Sequence, residues 1–438
     1  MQQFQRRQRI MTFVRTSLLN AVAVVIKMLT LLGINKILAV YVGPAGYAAL
    51  GQFQNLVQMI TTFAGGSMNT GVTKYTAEYA GDSDRQHRIW ATAGIVSLIG
   101  GCIAALLIAL FARHLARNFL SAETHYTVFY WLSCGLIFFV LNSLLLAILN
   151  GKKEVVAYVT ANIIGSLLSF VIVVVLSVYF GLYGALVSLS VYQSIACVAT
   201  AYICSRKSWF SFRLLVGVID QQALFKLLKF SLMVGVSAAC VPLSSMLVRD
   251  YLIGAYGIDF AGYWEALTRL SGAYLMLVTT TLSLYFLPRY SEIKSVAKLR
   301  VEVIKALCMI VPVALLGSIS VYLLREWLIK LLFSSDFLPI ESMVAWQVVG
   351  DTLKITSWVL GFLLWARALV IPFIVTEVIF SFGFFFATKF FSAYYGSDGV
   401  VIAYAVNYFL YLIALALFFF LWFRKHKILE AGEGHKEC

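Results

Sequence analysis

Charge is the scarce ingredient of this 438-residue chain: only 12% of its residues are Asp, Glu, Lys or Arg, against roughly 25% in soluble domains. With 61% hydrophobic residues, lipid rather than water is the solvent the composition implies. The seven cysteines include no C-x-x-C and most fall inside apolar stretches, so neither a disulfide framework nor a metal site is expected. All five histidines, His87, His114, His125, His426 and His435, lie outside those stretches, which speaks against a buried histidine proton relay. Long polar loops are missing too. A membrane glycosyltransferase or polymerase would need clustered acids or a metal site in a sizeable loop, and the outer loops here are short.

What the chain has is hydrophobic runs, each long enough to cross a hydrocarbon core about 30 Å thick. Twelve are expected, near 14–40, 45–65, 88–111, 126–149, 155–180, 183–204, 226–253, 261–286, 303–324, 342–365, 368–391 and 399–423. Barrel strands would alternate over about ten residues, so these are read as helices. The first is too long for a signal-peptide core and lacks a small-residue cleavage site. The fold class expected is therefore an all-α integral membrane protein.

The net charge of +14 follows from topology. With the amino terminus inside, 24 of the 34 Lys and Arg residues fall in inner segments, and the outer loops hold only Arg113, Arg117, Arg325 and Lys330. This is the positive-inside bias, with both termini cytoplasmic, and no nucleic-acid partner is needed to explain it.

An internal repeat divides the chain. AGY at 45–47 returns at 261–263, and W-x-x-x-G at 131–135 returns at 346–350. Lys152, Ser166, Tyr179 and Gly181 are answered 215 positions later by Arg367, Ser381, Tyr394 and Gly396. Six helices return the chain to its starting side, so parallel repeats are expected, related by an axis along the membrane normal. The expected division is an amino-terminal lobe over 1–204, a basic cytoplasmic linker over 205–225, and a carboxy-terminal lobe over 226–438 ending in a basic tail. Such architecture belongs to transporters that hold substrate between halves near the midplane.

Charges within the spans are then the informative residues, because each costs several kcal/mol at mid-bilayer unless it meets water or a partner. Lys36, Arg249, Asp250 and Lys389 sit close enough to the outer ends to snorkel. Lys27 is near the middle of its helix and cannot escape easily. Glu265 and Arg269 stand at i and i+4, Asp351 and Lys354 at i and i+3, so each couple can form an intrahelical ion pair that merely joins helices. Trp358 extends the second couple into one stripe, and an aromatic face beside charges suits a sugar, although a packed tryptophan fits equally. Gln52, Asn55, Gln58 and Thr62 on one helix, and Asn162, Ser166 and Ser169 on another, add polar stripes that suit a hydrated cavity or interhelical contacts. Six bases against four acids in the spans favour an anionic cargo.

Three segments carry a resemblance: YVGPAGY at 41–47, MNTGVTKYTAEY at 68–79 and AWQVVGDTLKI at 345–355. They resemble the corresponding motifs of Wzx-type flippases for undecaprenyl-diphosphate-linked oligosaccharides, along essentially the whole chain. The resemblance implies the multidrug/oligosaccharidyl-lipid/polysaccharide exporter fold, two six-helix lobes opening alternately to each side of a Gram-negative inner membrane. It implies a cargo such as an O-antigen repeat unit or the common-antigen intermediate lipid III, with a polysaccharide polymerase and a chain-length regulator as partners. Lys27, Lys36, Arg249, Asp351, Lys354, Arg367 and Glu377 match charged positions of that family, whereas Asp250 and Arg289 depart from it.

Transport rather than catalysis is thus expected, without a cofactor. Lys27, Arg249, Arg269, Lys354, Trp358, Gln52 and Asn55 are the candidate cargo contacts. Asp351 and Glu265 balance charge, and Glu377 is the candidate site for coupling to a proton or cation gradient. A drug or small-molecule antiporter of the same superfamily would share fold and repeat, but cationic drugs favour an acidic cavity.

Overall fold

Hydrocarbon offers the backbone no hydrogen-bond partners, so a chain this apolar must satisfy its amides internally. In the computed structural model every regular element among the described residues is helical. The backbone is described for residues 2–120, 123–293 and 295–433, and the side chains for the same residues except 2–23, 123, 229, 230, 284, 288 and 427–433. The bases expected ahead of the first span (Arg6, Arg7, Arg9, Arg15) and late in the tail (Lys427, Lys436) lie outside the described side chains.

The first half comprises α1 (Gln2–Phe63), α2 (Asn69–Glu78), α3 (Ser83–Leu110), α4 (Ala112–Leu120), α5 (Thr127–Gly151) and α6 (Val155–Ser205). After a linker with one 3-10 turn at Phe212–Leu215 come α7 (Gln221–Tyr256), α8 (Ile258–Thr281), α9 (Leu287–Glu292), α10 (Val296–Leu323) and α11 (Arg325–Leu332). α12 (Val344–Ala366), α13 (Val370–Tyr395) and α14 (Gly399–Glu433) complete the chain. A π-helical turn, Leu282–Phe286, joins α8 to α9.

Eight helical stretches among the described residues are long and apolar enough to cross a membrane. Three of them, Val24–Phe63, Val155–Ser205 and Val370–His426, run to 40, 51 and 57 residues, about twice or more what a crossing needs. Each is interrupted, by Gly43 with Pro44, by Gly181, and by the 3-10 turn Gly396–Asp398. α8 has the length for a crossing but carries Asp259, Glu265 and Arg269 and is not one of the eight.

Two compact units emerge, Met1–Pro242 and Leu243–Cys438, with the division inside α7. Within the first, α5 packs against α2, α3 and α6, and α1 lies along α6. Within the second, α12 takes the central place, against α8, α10 and α14, while α13 packs on α14.

The repeat is written into the backbone. Lys153 and Ala368, 215 positions apart, are the two non-glycine residues with positive φ among those described, at 58° and 49°. Such a conformation crowds a β-carbon and is held only where the surroundings demand it. Gly181 and Gly396, also 215 apart, take φ of 53° and 61°. Just beyond each, a glycine permits close approach: a β-carbon at Gly184 would meet the Leu176 carbonyl, and one at Gly399 the backbone at Phe391 and Ser392.

In the first unit the linker is fastened to the helix ends. Trp90, fully buried, donates from Nε1 to Thr76 Oγ1 at 2.8 Å, and Gln86 Nε2 donates to the Thr76 carbonyl at 2.6 Å. Lys152 Nζ donates to Gln86 Oε1 at 2.6 Å and lies 5.4 and 5.0 Å from the Trp90 and Trp209 rings. Glu154 accepts from Lys207 Nζ at 2.7 Å and Trp209 Nε1 at 3.2 Å. Gly94 has no side chain because the Leu215 carbonyl occupies its place. Arg367, the repeat partner of Lys152, also ties down a neighbouring segment, in the second unit, by donating to the Ile293 carbonyl.

Candidate functional site

α12 brings Gln347, Asp351, Lys354 and Trp358 onto neighbouring turns. Asp351 is wholly buried. Its carboxylate accepts from Ser271 Oγ at 2.6 Å and from the Tyr274 hydroxyl, both on α8, and from the Tyr404 hydroxyl on α14 at 2.7 Å. Gln347 Nε2 donates to Ser271 Oγ at 3.0 Å and lies 3.5 Å from Asp351 Oδ1. Four donors thus surround a group that as an anion can only accept, which is the condition for keeping it in a dry interior. Glycine makes the convergence possible: a β-carbon at Gly350 would collide with the Tyr404 ring, so its absence lets α14 come close enough to reach Asp351.

Lys354 takes another path. Its Nζ stands 5.2, 5.4 and 5.0 Å from the ring centres of Trp358, Tyr404 and Tyr408, inside the roughly 6 Å range of a cation–π contact. The intrahelical Asp351–Lys354 ion pair open to the sequence is therefore not formed. Hydroxyls from two other helices occupy the carboxylate, and aromatic faces hold the ammonium. The expected stripe of Asp351, Lys354 and Trp358 does come together, with Tyr404 touching both charged residues.

A second buried cluster lies on α7 and α8. Glu265 accepts from Arg269 Nε at 2.8 Å, the expected i, i+4 pair, and its other oxygen accepts from Arg249 Nη2. Arg249 is 2% exposed, with its guanidinium 5.4 Å from the Trp264 ring. Snorkelling to the outer surface, the option open to Arg249 by depth, does not occur. The turn at Gly257 sets Arg249 and Glu265 eight residues away on either side, level with each other. One carboxylate shared by two guanidiniums leaves both cations engaged.

The remaining candidates are dispersed. Gln52 is buried, and Asn55 is half-buried with Nδ2 unpartnered. Gln58 is exposed and accepts from Thr62 within its own helix. Lys27 is exposed and makes no ion pair among the described residues, whereas Lys36 is half-buried. Glu377 is half-buried on α13. Lys389 is exposed, 4.8 Å from the Phe385 ring.

Ser271, Tyr274, Gln347, Tyr404 and Tyr408 escape sequence reasoning, since tyrosine and serine in apolar runs read as ordinary span residues. One signal was available: Tyr404, Tyr408 and Tyr411 recur at i, i+4 and i+7 and form one face of α14. At the equivalent positions the first half carries no such site. The repeat partners of Asp351 and Lys354, 215 positions earlier, are Leu136 and Phe139, both buried and apolar.

The sequence profile of the family described as polysaccharide biosynthesis protein matches residues 13–294. The chain belongs to that family. Among polysaccharide biosynthesis proteins it is 28% identical over 416 residues to the lipid III flippase of Escherichia coli (strain K12), covering 95% of this chain and 100% of the relative. The lipid III flippase of Shigella flexneri matches equally. In fold, this family member resembles an inward-facing multidrug-resistance MATE transporter of the MOP superfamily, with TM-score 0.77, 18% identity and coverage of 91% and 94% of the two chains. An outward-facing MATE transporter gives TM-score 0.67 at 17% identity, covering 94% of each chain. The expected exporter fold is thus observed.

Proposed function

We propose that this protein is a flippase, not an enzyme, that moves an undecaprenyl-diphosphate-linked oligosaccharide from the cytoplasmic to the periplasmic leaflet of a bacterial inner membrane. The similarity to lipid III flippases over 95% of the chain supports this reading. The observation that carries it to a site is the state of Lys354. In the second unit Arg249 and Arg269 already share Glu265, while Lys354 makes no ion pair and rests on aromatic faces, one turn from an Asp351 carboxylate that hydroxyls already occupy. A diphosphate offers that ammonium charge-assisted hydrogen bonds that rings cannot, and the vacated rings of Trp358, Tyr404 and Tyr408 suit sugar faces.

Twelve crossings belong to the same proposal: the eight stretches with three divided at their interruptions, plus α8. Both termini are then cytoplasmic, and the chain works by alternating access. Lys27, lacking an ion-pair partner among the described residues, is the first unit's cargo contact. Coupling to a proton or cation gradient is assigned to Glu377. Partnership with a polymerase and a chain-length regulator rests on the family resemblance alone.

The test is complementation of a bacterial strain lacking its lipid III flippase, with mass spectrometry of lipid-linked intermediates. Expression should clear the accumulated intermediate and restore surface glycan, and Lys27→Ala should fail at normal membrane abundance. Persistent accumulation together with resistance to cationic drugs would replace the flippase by an antiporter.

A further inference from the structure

The linker between α6 and α7 dips along the helices of the first unit, to which it belongs, and α3 serves as the ruler for its depth. Near its start the Trp209 ring stands 5.8 Å from that of Trp90. Further on, the Leu215 carbonyl occupies the place of a side chain at Gly94, one turn deeper. Phe212 and Val216 reach deeper still, where they share an apolar cleft with Leu98 of α3 and Ile137 of α5. The chain then climbs back: Gly217 packs beside Ala91, the Asp220 amide donates to Thr92 Oγ1 at 3.1 Å, and the Asp220 carboxylate lies 3.6 Å from Arg88.

Two helices fix the level of the apex. With a rise of about 1.5 Å per residue, Gly94 is about 16 Å from the start of α3, and Leu144, which lines the same cleft, is about 10 Å from the end of α5. Both helices are membrane-crossing stretches, and Leu98 adjoins the exposed apolar column of Ile99, Ile103, Leu106 and Leu110 on α3. The Phe212–Val216 turn is thereby set at the level of lipid headgroups and the first acyl carbons. Its side chains divide to match. Phe210 and Leu215 turn into the buried core of the first unit, whereas Val216 and Val218 are 62% and 88% exposed, with Phe212 and Ile219 exposed beside them. Water rarely covers such a contiguous apolar patch. Arginines accompany it: Arg206 and Arg213 are exposed, and Arg213 makes no ion pair among the described residues. The one acid of the linker, Asp220, is spent on capping α7, accepting from the Ala223 amide at 3.0 Å.

Apolar side chains flanked by exposed arginines complement a negatively charged phospholipid surface. We infer that the linker is a membrane-surface anchor: Phe212, Val216 and Val218 enter the cytoplasmic leaflet while Arg213 takes the phosphate of an anionic phospholipid. The inference rests on the topology proposed above and is independent of the cargo. It makes the lipid charge of that leaflet an input to the segment that joins the two halves of the chain.

The test uses the full chain without its native cysteines, in nanodiscs of phosphatidylcholine and phosphatidylglycerol, carrying one nitroxide spin label at a time. Labels on Val216→Cys and Val218→Cys should collide with dissolved oxygen and be shielded from a water-soluble nickel complex, and a label on Ser208→Cys should do the reverse. Mass spectrometry of the lipid retained by the unlabelled protein then reads the headgroup. Arg213→Gln should lower retained phosphatidylglycerol about fivefold, the worth of one base near an anionic surface, leaving phosphatidylcholine unchanged, and Arg213→Lys should restore it. Nickel access at 216 and 218 equal to that at 208, or undiminished phosphatidylglycerol in Arg213→Gln, overturns the inference. Spin–spin broadening at 216 and 218 also overturns it, because a second copy of the chain would then cover the patch. A wrong topology is distinguishable: an impermeant thiol reagent outside intact spheroplasts would modify Ser208→Cys, and the choice of leaflet would fall with it.

Discussion

Asp351 and Lys354 stand one turn apart on α12 and do not pair: the carboxylate takes hydroxyls from α8 and α14, and the ammonium lies over Trp358, Tyr404 and Tyr408. Their roles are therefore separable by mutation. Lys354→Gln removes no buried ion pair, so it should leave abundance unchanged and abolish clearance of the lipid-linked intermediate, with Lys354→Arg retaining part. Asp351→Ala strands the Tyr274 and Tyr404 hydroxyls in the interior, at about 1–3 kcal/mol for each unsatisfied group. It should lower the thermal midpoint in detergent, and Asp351→Asn should lower it less. Wild-type stability for Asp351→Ala would show that the hydroxyls are not held by that carboxylate.

Arg249 and Glu265 make the opposite case. Removing Glu265 leaves two guanidiniums facing each other in a dry interior, where breaking a buried pair costs about 3–5 kcal/mol. Glu265→Ala should reduce membrane abundance sharply, and Arg249→Met with Glu265→Met should recover much of it. Transport per molecule should survive in that double variant, because both charges serve the fold. Fluorescence-detected size exclusion against a transport assay separates the two readouts.

Outside the membrane, the linker clamp should respond to acid. The hydrogen bond from Lys207, aided by Trp209, holds the Glu154 carboxyl below its ordinary value against the opposing effect of burial. A depressed carboxylate adds stability that is complete above its unfolded pKa and vanishes as pH falls through the folded value. Hydrogen exchange over residues 206–220 should be slow at neutral pH and accelerate once the pH drops below the usual carboxylate range. Glu154→Gln should exchange faster at neutral pH and show a smaller change on acidification. Identical profiles for the two proteins would remove Glu154 from the clamp.

Paired glycines give a fourth expectation. Gly184→Ala and Gly399→Ala each place a methyl against backbone that cannot give way, whereas Gly272→Ala enters open space. The first two should both depress abundance, and the third should be neutral or slightly stabilising, since alanine is the better helix former by about 1 kcal/mol. A western blot of membrane fractions suffices, and unequal tolerance at 184 and 399 would contradict the equivalence of the two turns.

Much of the fold was legible because lipid imposes one rule everywhere: apolar runs become helices, and the shift-215 repeat survives as matching left-handed residues at Lys153 and Ala368. The site was legible only in part. Asp351, Lys354 and Trp358 share a helix, so their spacing reveals their meeting, and the equal distances from Gly257 would have revealed Arg249 with Glu265. Ser271 reaches Asp351 across 80 positions, and no local pattern encodes which helices become neighbours. Depth likewise cannot decide whether a long side chain escapes to the interface or finds a partner inside, as Arg249 does.

The duplicated scaffold also furnishes the protein with its own reference. Where Lys153 and Ala368 or Gly181 and Gly396 agree, the shared feature belongs to the helical frame; where Leu136 and Phe139 face Asp351 and Lys354, the frame is common and the difference isolates the chemistry. Subtracting the first half from the second thus leaves a short polar residue set that the architecture does not require. Grafting part of that set onto the first half, beginning with Phe139→Lys, asks whether a cation at the equivalent position helps transport or whether the duplicated frame works only with one copy of that chemistry.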